Sequence, residues 1–272
     1  GSGHFLLGAF DRLCTRWAEA QPSLSPTEVA RRALAQVTGA DINPYAAAIA
    51  RFRLTLAFLE RAGYTKLADA PELDIRVVVA DSLLAGVGQR DFADRATEDR
   101  RESWTAEKFL FEDPAETDRL LGRSYTAVVG NPPYITVSDP SRNAAYRTRY
   151  VACYRSYQLV APFIERFLGL GKEGAFVGSI VGNGFMKRQF GRRVIEDVLS
   201  RIELSKVVDT SGAYIPGHGT PTILMFARQQ PRTGRDVPAV LGIRGEPATP
   251  DSPSEGLVWS SIAAHHQEMG FE

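Results

Sequence analysis

Apolar residues recur every three to four positions through three stretches near the start of the chain, which is the spacing of an amphipathic helix. The stretches are residues 4–20, 27–34 and 44–62. Ser25 or Thr27 is placed to cap the second helix, because a short polar side chain before a helix can accept a free backbone N–H. The pattern therefore predicts a first region built mainly from helices.

Short apolar runs rich in β-branched residues predict strands between and after these helices. The continuous run IRVVVA at 75–80 is typical of a strand buried on both faces. Further strands are expected at residues 36–40, 125–130, 174–181, 206–210 and 222–227, with another possible at 237–243, and further helices at 159–170 and 190–199. Strands that alternate with helices predict the α/β class with a mainly parallel sheet.

Three segments depart from this alternation. Residues 86–124 are rich in charge and poor in β-formers, which predicts a charged insertion with some helix on the surface. Residues 138–157 indicate a polar loop in which arginines alternate with tyrosines. Pro, Gly and Ser become frequent in residues 229–272, which indicates a linker or the start of a further module. The expected catalytic domain is therefore residues 1–228.

Composition narrows the class of protein further. Lys plus Arg equals Asp plus Glu at 32 each, so any contact with nucleic acid must come from local clusters of charge. The two cysteines, Cys14 and Cys153, are expected to be buried or half-buried free thiols, and no Cys/His spacing suits a metal. No apolar run is long enough to cross a membrane, and we expect a cytoplasmic protein without a metal.

Polar residues follow three of the predicted strands. Asp41, Asp81 and Asn131 each come directly after a strand, and Gly1-Ser2-Gly3 comes directly before the first helix. Ligands of doubly wound sheets bind beyond the carboxyl ends of the strands, so we expect these residues to share one crevice. The glycines would let the backbone approach a cofactor, and a carboxylate suits a ribose diol. A role as helix caps is the alternative for both aspartates.

The Asn131-Pro132-Pro133-Tyr134 turn is the most specific motif. Two successive prolines fix the backbone and push the residue before them out of the helical region. The Asn131 side-chain oxygen and the Pro132 carbonyl can then accept both hydrogens of a planar NH2 group, and Tyr134 can stack on the ring that carries it. An ordinary surface turn is the alternative, but the position of the motif after a VVG strand, with Asp41 and Asp81 after earlier strands, favours an amine-binding site.

Basic residues interleaved with aromatic rings follow this turn and can contact phosphates and bases. The candidate nucleic-acid residues are Arg147, Arg149, Tyr150, Asn183, Phe185, Lys187 and Arg188. The alternative is a solvated basic surface with its aromatic rings in the core.

The motifs occur in the order of a known family. The stretches GSGHFLL, ADINPYAAAIARFRL, VVADSLL and AVVGNPPYI resemble the successive motifs of the N6-adenine DNA methyltransferases of the gamma-type order. The resemblance covers residues 1–228. It narrows with NPPYITVSDPSRNAAYRTRY, NGFMKRQFGRRVIEDVL, DTSGAYIPGHGTPTILMF and IRGEPATP, which look like the PglX methyltransferases of type 2 BREX phage-defence systems.

The resemblance implies a Rossmann-like S-adenosylmethionine-dependent methyltransferase sheet, mostly parallel with an antiparallel last strand pair. The cofactor would be S-adenosylmethionine, with Gly1, Ser2, Gly3 and His4 on its methionine side, Asp41 on the ribose, Ile42 against the adenine, and Asp81 and Ser82 holding the adenine. The target would be an adenine flipped from double-stranded DNA and held by residues 131–134. Other phage-defence proteins are possible partners.

One departure from the family is clear. A buried strand and an Asp-Pro-x-Cys segment precede the Gly-Ser-Gly loop in the family, and neither stands before Gly1. We therefore expect a fragment without its first strand and without the target-recognition region. Two rival functions stay open, because the turn alone specifies only a planar amine. One is methylation of a protein glutamine or an RNA base, and the other is a non-catalytic DNA-binding subunit of a defence complex.

Overall fold

A computed structural model of the chain describes residues 1–86, 113–217, 219–234, 236–242 and 245–265. Its contacts divide the chain into two compact units, Gly1–Arg123 and Ser124–Glu272. Most of the predicted charged insertion, residues 87–112, lies outside the described residues.

The first unit is built from helices around a short parallel sheet. Its elements are α1 (His4–Ala20), α2 (Pro26–Leu34), β1 (Gly39–Asp41), α3 (Pro44–Ala62), a 3-10 turn (Leu67–Asp69), β2 (Val77–Val79) and α4 (Pro114–Leu121). The periodicity located α1 and α3 at the residues where the structure has them. Ser25 caps α2 by accepting the Glu28 N–H at 3.2 Å, and Asn43 caps α3 by accepting from Tyr45 and Ala46. Phe10, Leu54 and Phe58 are buried between α1, α2 and α3.

β1 and β2 are parallel and shorter than the apolar runs that predicted them. Every residue of β2 is buried, as the continuous apolar run indicated. Val77 and Val79 pack against the core of α1, α2 and α3, whereas Val78 packs with Leu120 and Leu121 of α4. The prediction of surface helix in the charged insertion is therefore corrected for α4, because Leu120 and Leu121 of this helix are buried in the core.

The second unit holds a five-stranded sheet in the order β3-β4-β6-β5-β7. Its strands are β3 (Tyr125–Gly130), β4 (Gly171–Gly182), β5 (Ile202–Asp209), β6 (Thr222–Pro231) and β7 (Ala239–Val240). The β3–β4 and β5–β7 pairs are parallel, and the β4–β6 and β5–β6 pairs are antiparallel. The α/β class and the antiparallel pairing of β5 with β6 are confirmed.

Two interpretations of the second unit are corrected. Residues 138–157 are not a loop throughout, because α5 spans Pro140–Arg149, begins at the Asp139 cap and has proline in its first turn. The helix expected at 190–199 is broken into α7 (Gly184–Lys187), a 3-10 turn (Gln189–Gly191), a π-helical turn (Val194–Val198) and a second 3-10 turn (Leu199–Arg201). The long helix α6 (Val160–Leu170) lies close to its predicted position.

The segment after residue 228 is joined to the second unit. β6 continues to Pro231, β7 pairs with β5, and Glu246 accepts the N–H groups of Leu257 and Val258 at the start of α8 (Leu257–His265). The predicted boundary at residue 228 stays a prediction. Both cysteines are buried and free, as expected.

Candidate active site

The glycine loop of the first unit ends at Gly3, which adopts a left-handed conformation that suits glycine and opens α1. Gly3 has φ +84° and is buried, and a Cβ at this position would lie 2.9 Å from the Cβ of Ala50. Among the described residues, no side chain caps the helix start and no acidic residue lies in its first turn. The first N–H groups of α1 and the positive end of its dipole can therefore receive an anionic group.

An arginine of α3 holds this loop in place. The Arg53 guanidinium donates to the Ser2 carbonyl at 2.8 Å and lies 3.4 Å from the Ser2 hydroxyl and 3.5 Å from Nε2 of His4. Sequence reasoning did not identify Arg53 as a site residue. The available signal was its position three residues after Ala50, which puts both on the face of α3 that meets the loop.

Two carboxylates lie at the same edge of the β1–β2 sheet. Asp41 ends β1 opposite Val79, and Asp81 follows β2 by two residues. One Asp41 oxygen accepts the Asn43 N–H at 2.7 Å, and the other contacts the Gly1 nitrogen. Asp81 is buried and accepts the Leu83 N–H at 3.1 Å, with Ser82 half-buried beside it. Both aspartates therefore lie at the carboxyl ends of their strands, and the crevice predicted for them together with Asn131 stays a prediction.

Ile42 follows Asp41 and leaves 41% of its side chain exposed. An exposed apolar side chain beside a carboxylate can cover one face of a planar ring while the carboxylate accepts from nearby hydroxyls. The arrangement is therefore compatible with the predicted roles of Asp41 at the ribose and Ile42 at the adenine.

The Asn131–Tyr134 turn lies at the carboxyl end of β3 in the second unit. Asn131 is exposed and Pro132 is buried, so the amide faces outward from an anchored backbone. The Tyr134 hydroxyl donates to the Asn131 side-chain oxygen at 2.6 Å and lies 3.2 Å from the Ile180 carbonyl. Burial raises the pKa of Tyr134 to about 12, which keeps the hydroxyl protonated as a donor.

The end of β4 makes room for the Tyr134 ring. A Cβ on Gly182 would lie 3.5 Å from the ring, which is an ordinary van der Waals contact, so the ring packs close to the end of this strand. Beyond the turn, the Ile135 carbonyl accepts the Leu159 N–H at 2.8 Å, and Thr136 bridges to Gln158. The turn is thus fixed at both ends.

Three of the candidate nucleic-acid residues lie in the interior. Tyr150 is 6% exposed and Phe185 is 3% exposed, which leaves neither ring available for stacking on a base. Asn183 is 8% exposed and donates to the Ser211 hydroxyl at 3.0 Å. These positions suit core packing and loop anchoring, and we remove them from the proposed interface.

Arg147 is turned back onto its own unit. Its guanidinium donates to the Asn143 side chain at 2.7 Å and to the Cys153 carbonyl at 3.1 Å, contacts the Arg155 carbonyl, and lies 5.0 Å from the centre of the Tyr157 ring. These bonds order the loop after α5. Arg149 is half-buried in the last turn of α5, whereas Lys187 and Arg188 are exposed. Lys187 and Arg188 therefore keep the geometry of surface contacts with a nucleic acid, whereas the bonds of Arg147 within its own unit restrict that side chain.

Two kinds of feature are absent from the part of the chain that the structure describes. No group of three or more His, Cys, Asp or Glu side chains there has an arrangement that could hold a metal ion. No helix there is both long enough and apolar enough to cross a membrane.

Similarity to a curated relative extends over almost the whole chain. The adenine-specific methyltransferase PglX of Streptomyces coelicolor is 43% identical over 285 residues, which cover 99% of this chain and 24% of PglX. The chain therefore spans about a quarter of the length of this relative.

Two solved structures share the fold. The modification subunit of a putative type I restriction enzyme from Vibrio vulnificus YJ016 has a TM-score of 0.58 at 14% identity and covers 100% of this chain and 48% of its own. The type ISP restriction-modification enzyme LlaGI, solved with a DNA substrate mimic, has a TM-score of 0.57 at 14% identity. The match covers 85% of this chain and 20% of the LlaGI chain. At such identities the likeness shows the fold alone.

The sequence also matches a protein family. The family described as Eco57I restriction-modification methylase matches residues 35–215, which include Asp41, Asp81 and the Asn131–Tyr134 turn. The match covers well over half of the 272 residues. The chain therefore belongs to the Eco57I family of restriction-modification methylases.

Proposed function

We propose that the protein transfers a methyl group from S-adenosylmethionine to N6 of an adenine that is flipped out of double-stranded DNA. The observation that carries the proposal is the Asn131–Tyr134 turn, which presents an exposed amide beside a fixed carbonyl and an aromatic ring. Family membership and the 43% identity to an adenine-specific methyltransferase support adenine as the acceptor. The DNA substrate mimic bound by LlaGI supports DNA as the substrate class.

The residues of the first unit fit the cofactor. The N-terminus of α1, which carries no acidic residue in its first turn, suits the methionine carboxylate. The Asp41 carboxylate suits the two ribose hydroxyls, and Ile42 suits one face of the adenine. Asp81 is an acceptor for the exocyclic amine of the cofactor, and the Leu83 N–H bond fixes its orientation. Gly1, Ser2, Gly3 and His4 form the loop at the methionine end, steadied by Arg53.

S-adenosylmethionine supplies an electrophilic methyl group when it is bound. The turn makes the target amine a better nucleophile, because the Asn131 oxygen and the Pro132 carbonyl accept its two hydrogens. A carbonyl oxygen has two lone pairs, so Asn131 can accept from Tyr134 and from the amine together. Pro132 has no N–H that would need another partner. Tyr134 stacks on the base and holds it away from the duplex.

The experiment is methyl transfer from radiolabelled S-adenosylmethionine to adenine-containing DNA by the full-length protein. We expect N6-methyladenine as the product. We expect Asn131→Ala to lower the rate at least about a hundredfold, since one acceptor of the reacting amine is removed, with cofactor affinity unchanged. Full activity in Asn131→Ala would show that this mechanism is wrong.

Other outcomes of the same assay assign the rival functions. Methyl incorporation into RNA or a protein glutamine, with none into DNA, would assign a different acceptor. DNA binding without methyl incorporation would assign a non-catalytic subunit. A role in phage defence, with partner proteins of such a system, extends the proposal. It predicts that Asn131→Ala in the genome weakens resistance to phage, measured as the efficiency of plating.

A further inference from the structure

A pocket of about 500 Å³ lies in the second unit outside the Asn131–Tyr134 turn. Its walls are Arg147, Arg155, Ser156, Arg188, Gln189 and Phe190, and we call it the arginine pocket. α5 and the loop after it supply one wall, and the segment that follows α7 supplies the other. Three guanidinium groups on one concavity form a strong anion-attracting surface.

The charges of the arginine pocket are not neutralised within the part of the chain that the structure describes. Arg155 donates to the neutral Gln189 side chain at 2.6 Å. Arg188 has no carboxylate within salt-bridge distance among those residues and is exposed. The neighbouring Glu196 pairs with Arg192 at 2.8 Å on the outer surface. The pocket therefore keeps a positive potential that an anionic ligand can neutralise.

Tyr154 holds two of the surrounding cations in position. The Arg155 and Arg193 guanidinium groups lie 5.4 Å and 4.9 Å from the centre of its ring, within the range of cation–π contacts. The pKa of Tyr154 is lowered, mainly by a hydrogen bond from Arg155 and to a smaller extent by the charges of Arg155, Arg192 and Arg193. Arg155 is also the one non-glycine residue with positive φ, at 54°, among the described residues. Such a conformation persists only where the surroundings fix it.

The arginine pocket is connected to the proposed base site by short stretches of backbone. Ser156 lies two residues before Gln158, which bridges to Thr136 just beyond the turn, and two residues of extended chain span about 7 Å. Arg188 follows β4, the strand whose Ile180 carbonyl and Gly182 meet Tyr134. An anion in the pocket would thus lie near the nucleotide whose base occupies the turn.

We propose that the arginine pocket binds a backbone phosphodiester beside the flipped adenine, with Arg188 and Arg155 as its principal contacts. The inference rests on the proposed function and adds a phosphate site to it. Arginine forks match phosphate oxygens, and Ser156 adds a hydroxyl donor at the same wall. Phosphate contacts fix the register of a protein on DNA without reading its sequence. The pocket would therefore hold the strand while the turn holds the base.

The test measures how salt affects the binding of a short fluorescein-labelled duplex of mixed sequence to the full-length protein. Removing one arginine that neutralises a phosphate makes the plot of log affinity against log salt shallower by about 0.9. We expect this change for Arg188→Ala and twice the change for Arg188→Ala combined with Arg155→Asn. Affinity should fall about tenfold for each arginine that is replaced. Asparagine is chosen at position 155 because it tolerates positive φ.

Arg201→Ala is the matched control, because Arg201 is an exposed arginine of the same unit outside the pocket. We expect the salt slope of Arg201→Ala to equal that of the wild type. We expect Arg188→Lys to keep the slope, because the positive charge remains, and to bind the duplex more weakly, because lysine lacks the planar fork of arginine. An unchanged slope in Arg188→Ala, or an equal change in Arg201→Ala, would overturn the phosphate site. Tighter binding of a polyglutamate peptide than of the duplex, abolished in Arg188→Ala, would assign the pocket to an acidic protein and overturn it too.

The same preparations separate this inference from the proposed function. A wild-type protein that binds the duplex with the expected Arg188 dependence but transfers no methyl group would retain the phosphate site and overturn the methyltransferase proposal. A protein that methylates adenine while Arg188→Ala leaves the salt slope unchanged would do the reverse.

Discussion

At the scale of single residues, the Tyr134 hydroxyl is the contact that orients the Asn131 amide, which is proposed to accept from the target amine. It donates to Asn131 at 2.6 Å, and its raised pKa of about 12 keeps the proton on the oxygen well above neutral pH. We expect Tyr134→Phe to lower kcat about tenfold, because one hydrogen bond that holds Asn131 is removed while the ring remains. KM for DNA should change little. Single-turnover methyl transfer would measure the effect.

The comparison variant Tyr134→Ala removes the ring as well. Stacking on a base contributes about 1 to 3 kcal/mol, so this variant should lose DNA affinity in addition to rate.

The wild-type rate should show no decline from ionisation of Tyr134 as the pH rises to about 10, because the raised pKa moves deprotonation towards 12. Equal kinetics for wild type and Tyr134→Phe would remove the orienting role of the hydroxyl.

Whether a residue of the proposed site could be predicted depends on how far apart in the sequence the interacting residues lie. Asn131, Pro132 and Tyr134 could be identified because four consecutive residues carry the whole chemical pattern. Arg53 could not, since its bond to Ser2 joins residues 51 positions apart. Tyr154 and Arg155 belong to a segment in which arginines alternate with tyrosines, and this pattern does not distinguish Tyr154 on the surface from Tyr150 in the core. That difference depends on how the chain packs around them.

At the scale of elements, the start of α1 depends on glycine at position 3. Alanine there would need φ near +84° and would meet Ala50, so we expect Gly3→Ala to lower the free energy of unfolding by about 2 to 3 kcal/mol. Cofactor binding should fall with it, because the N–H groups at the helix start move. Urea denaturation followed by circular dichroism gives the first quantity and calorimetric titration the second.

Gly8→Ala is the control for this substitution. Gly8 lies within the same helix, and a Cβ there would meet nothing within 4 Å. Alanine is the better helix former, so this variant should be more stable by about 0.5 to 1 kcal/mol. If Gly3→Ala were as stable as Gly8→Ala, the close approach of the loop to α3 would be absent from the folded protein.

The turn after α7 depends on glycine in the same way. A Cβ on Gly191 would lie 1.7 Å from the Phe185 carbonyl oxygen, so Gly191→Ala must displace the segment that carries Arg188. We expect a loss of stability of about 3 kcal/mol together with weaker DNA binding. The control is Gly169→Ala in α6, where a Cβ meets nothing within 4 Å and stability should not fall. Thermal denaturation and fluorescence anisotropy would separate the two variants.

Elements could be predicted where one pattern dominates. The apolar spacing located α1 and α3, because burial and periodicity agree there. The run of β-formers located β3, although Val128 is the one buried residue of that strand. The sequence pattern did not predict α5, because most of its residues are polar and its two buried side chains, Ala145 and Tyr146, are too few to show a helical periodicity. Its start carried a readable signal all the same, an Asp139 cap followed by proline. The break at Gly191 arises from its close approach to Phe185, which periodicity does not encode.

At the scale of the whole molecule, the residues proposed to bind the two ligands belong to different units. Asp41 and Asp81 belong to Gly1–Arg123, whereas the Asn131–Tyr134 turn and the arginine pocket belong to Ser124–Glu272. The proposed function gives the first unit the methyl donor and the second unit the DNA. Substitutions in the two units should therefore affect the binding of different ligands.

Asp41→Ala tests this division of labour most directly. The carboxylate is proposed to accept from two ribose hydroxyls, and a hydrogen bond to a charged group contributes about 1.5 to 3 kcal/mol. We expect the Kd for S-adenosylmethionine to rise at least about tenfold, with the affinity for the duplex and its salt slope unchanged. Asp11→Ala is the control, because Asp11 is an exposed carboxylate of the same unit whose ion pair with Arg61 contributes little. A change of similar size in Asp11→Ala, or a loss of duplex affinity in Asp41→Ala, would contradict the assignment of the cofactor to Asp41.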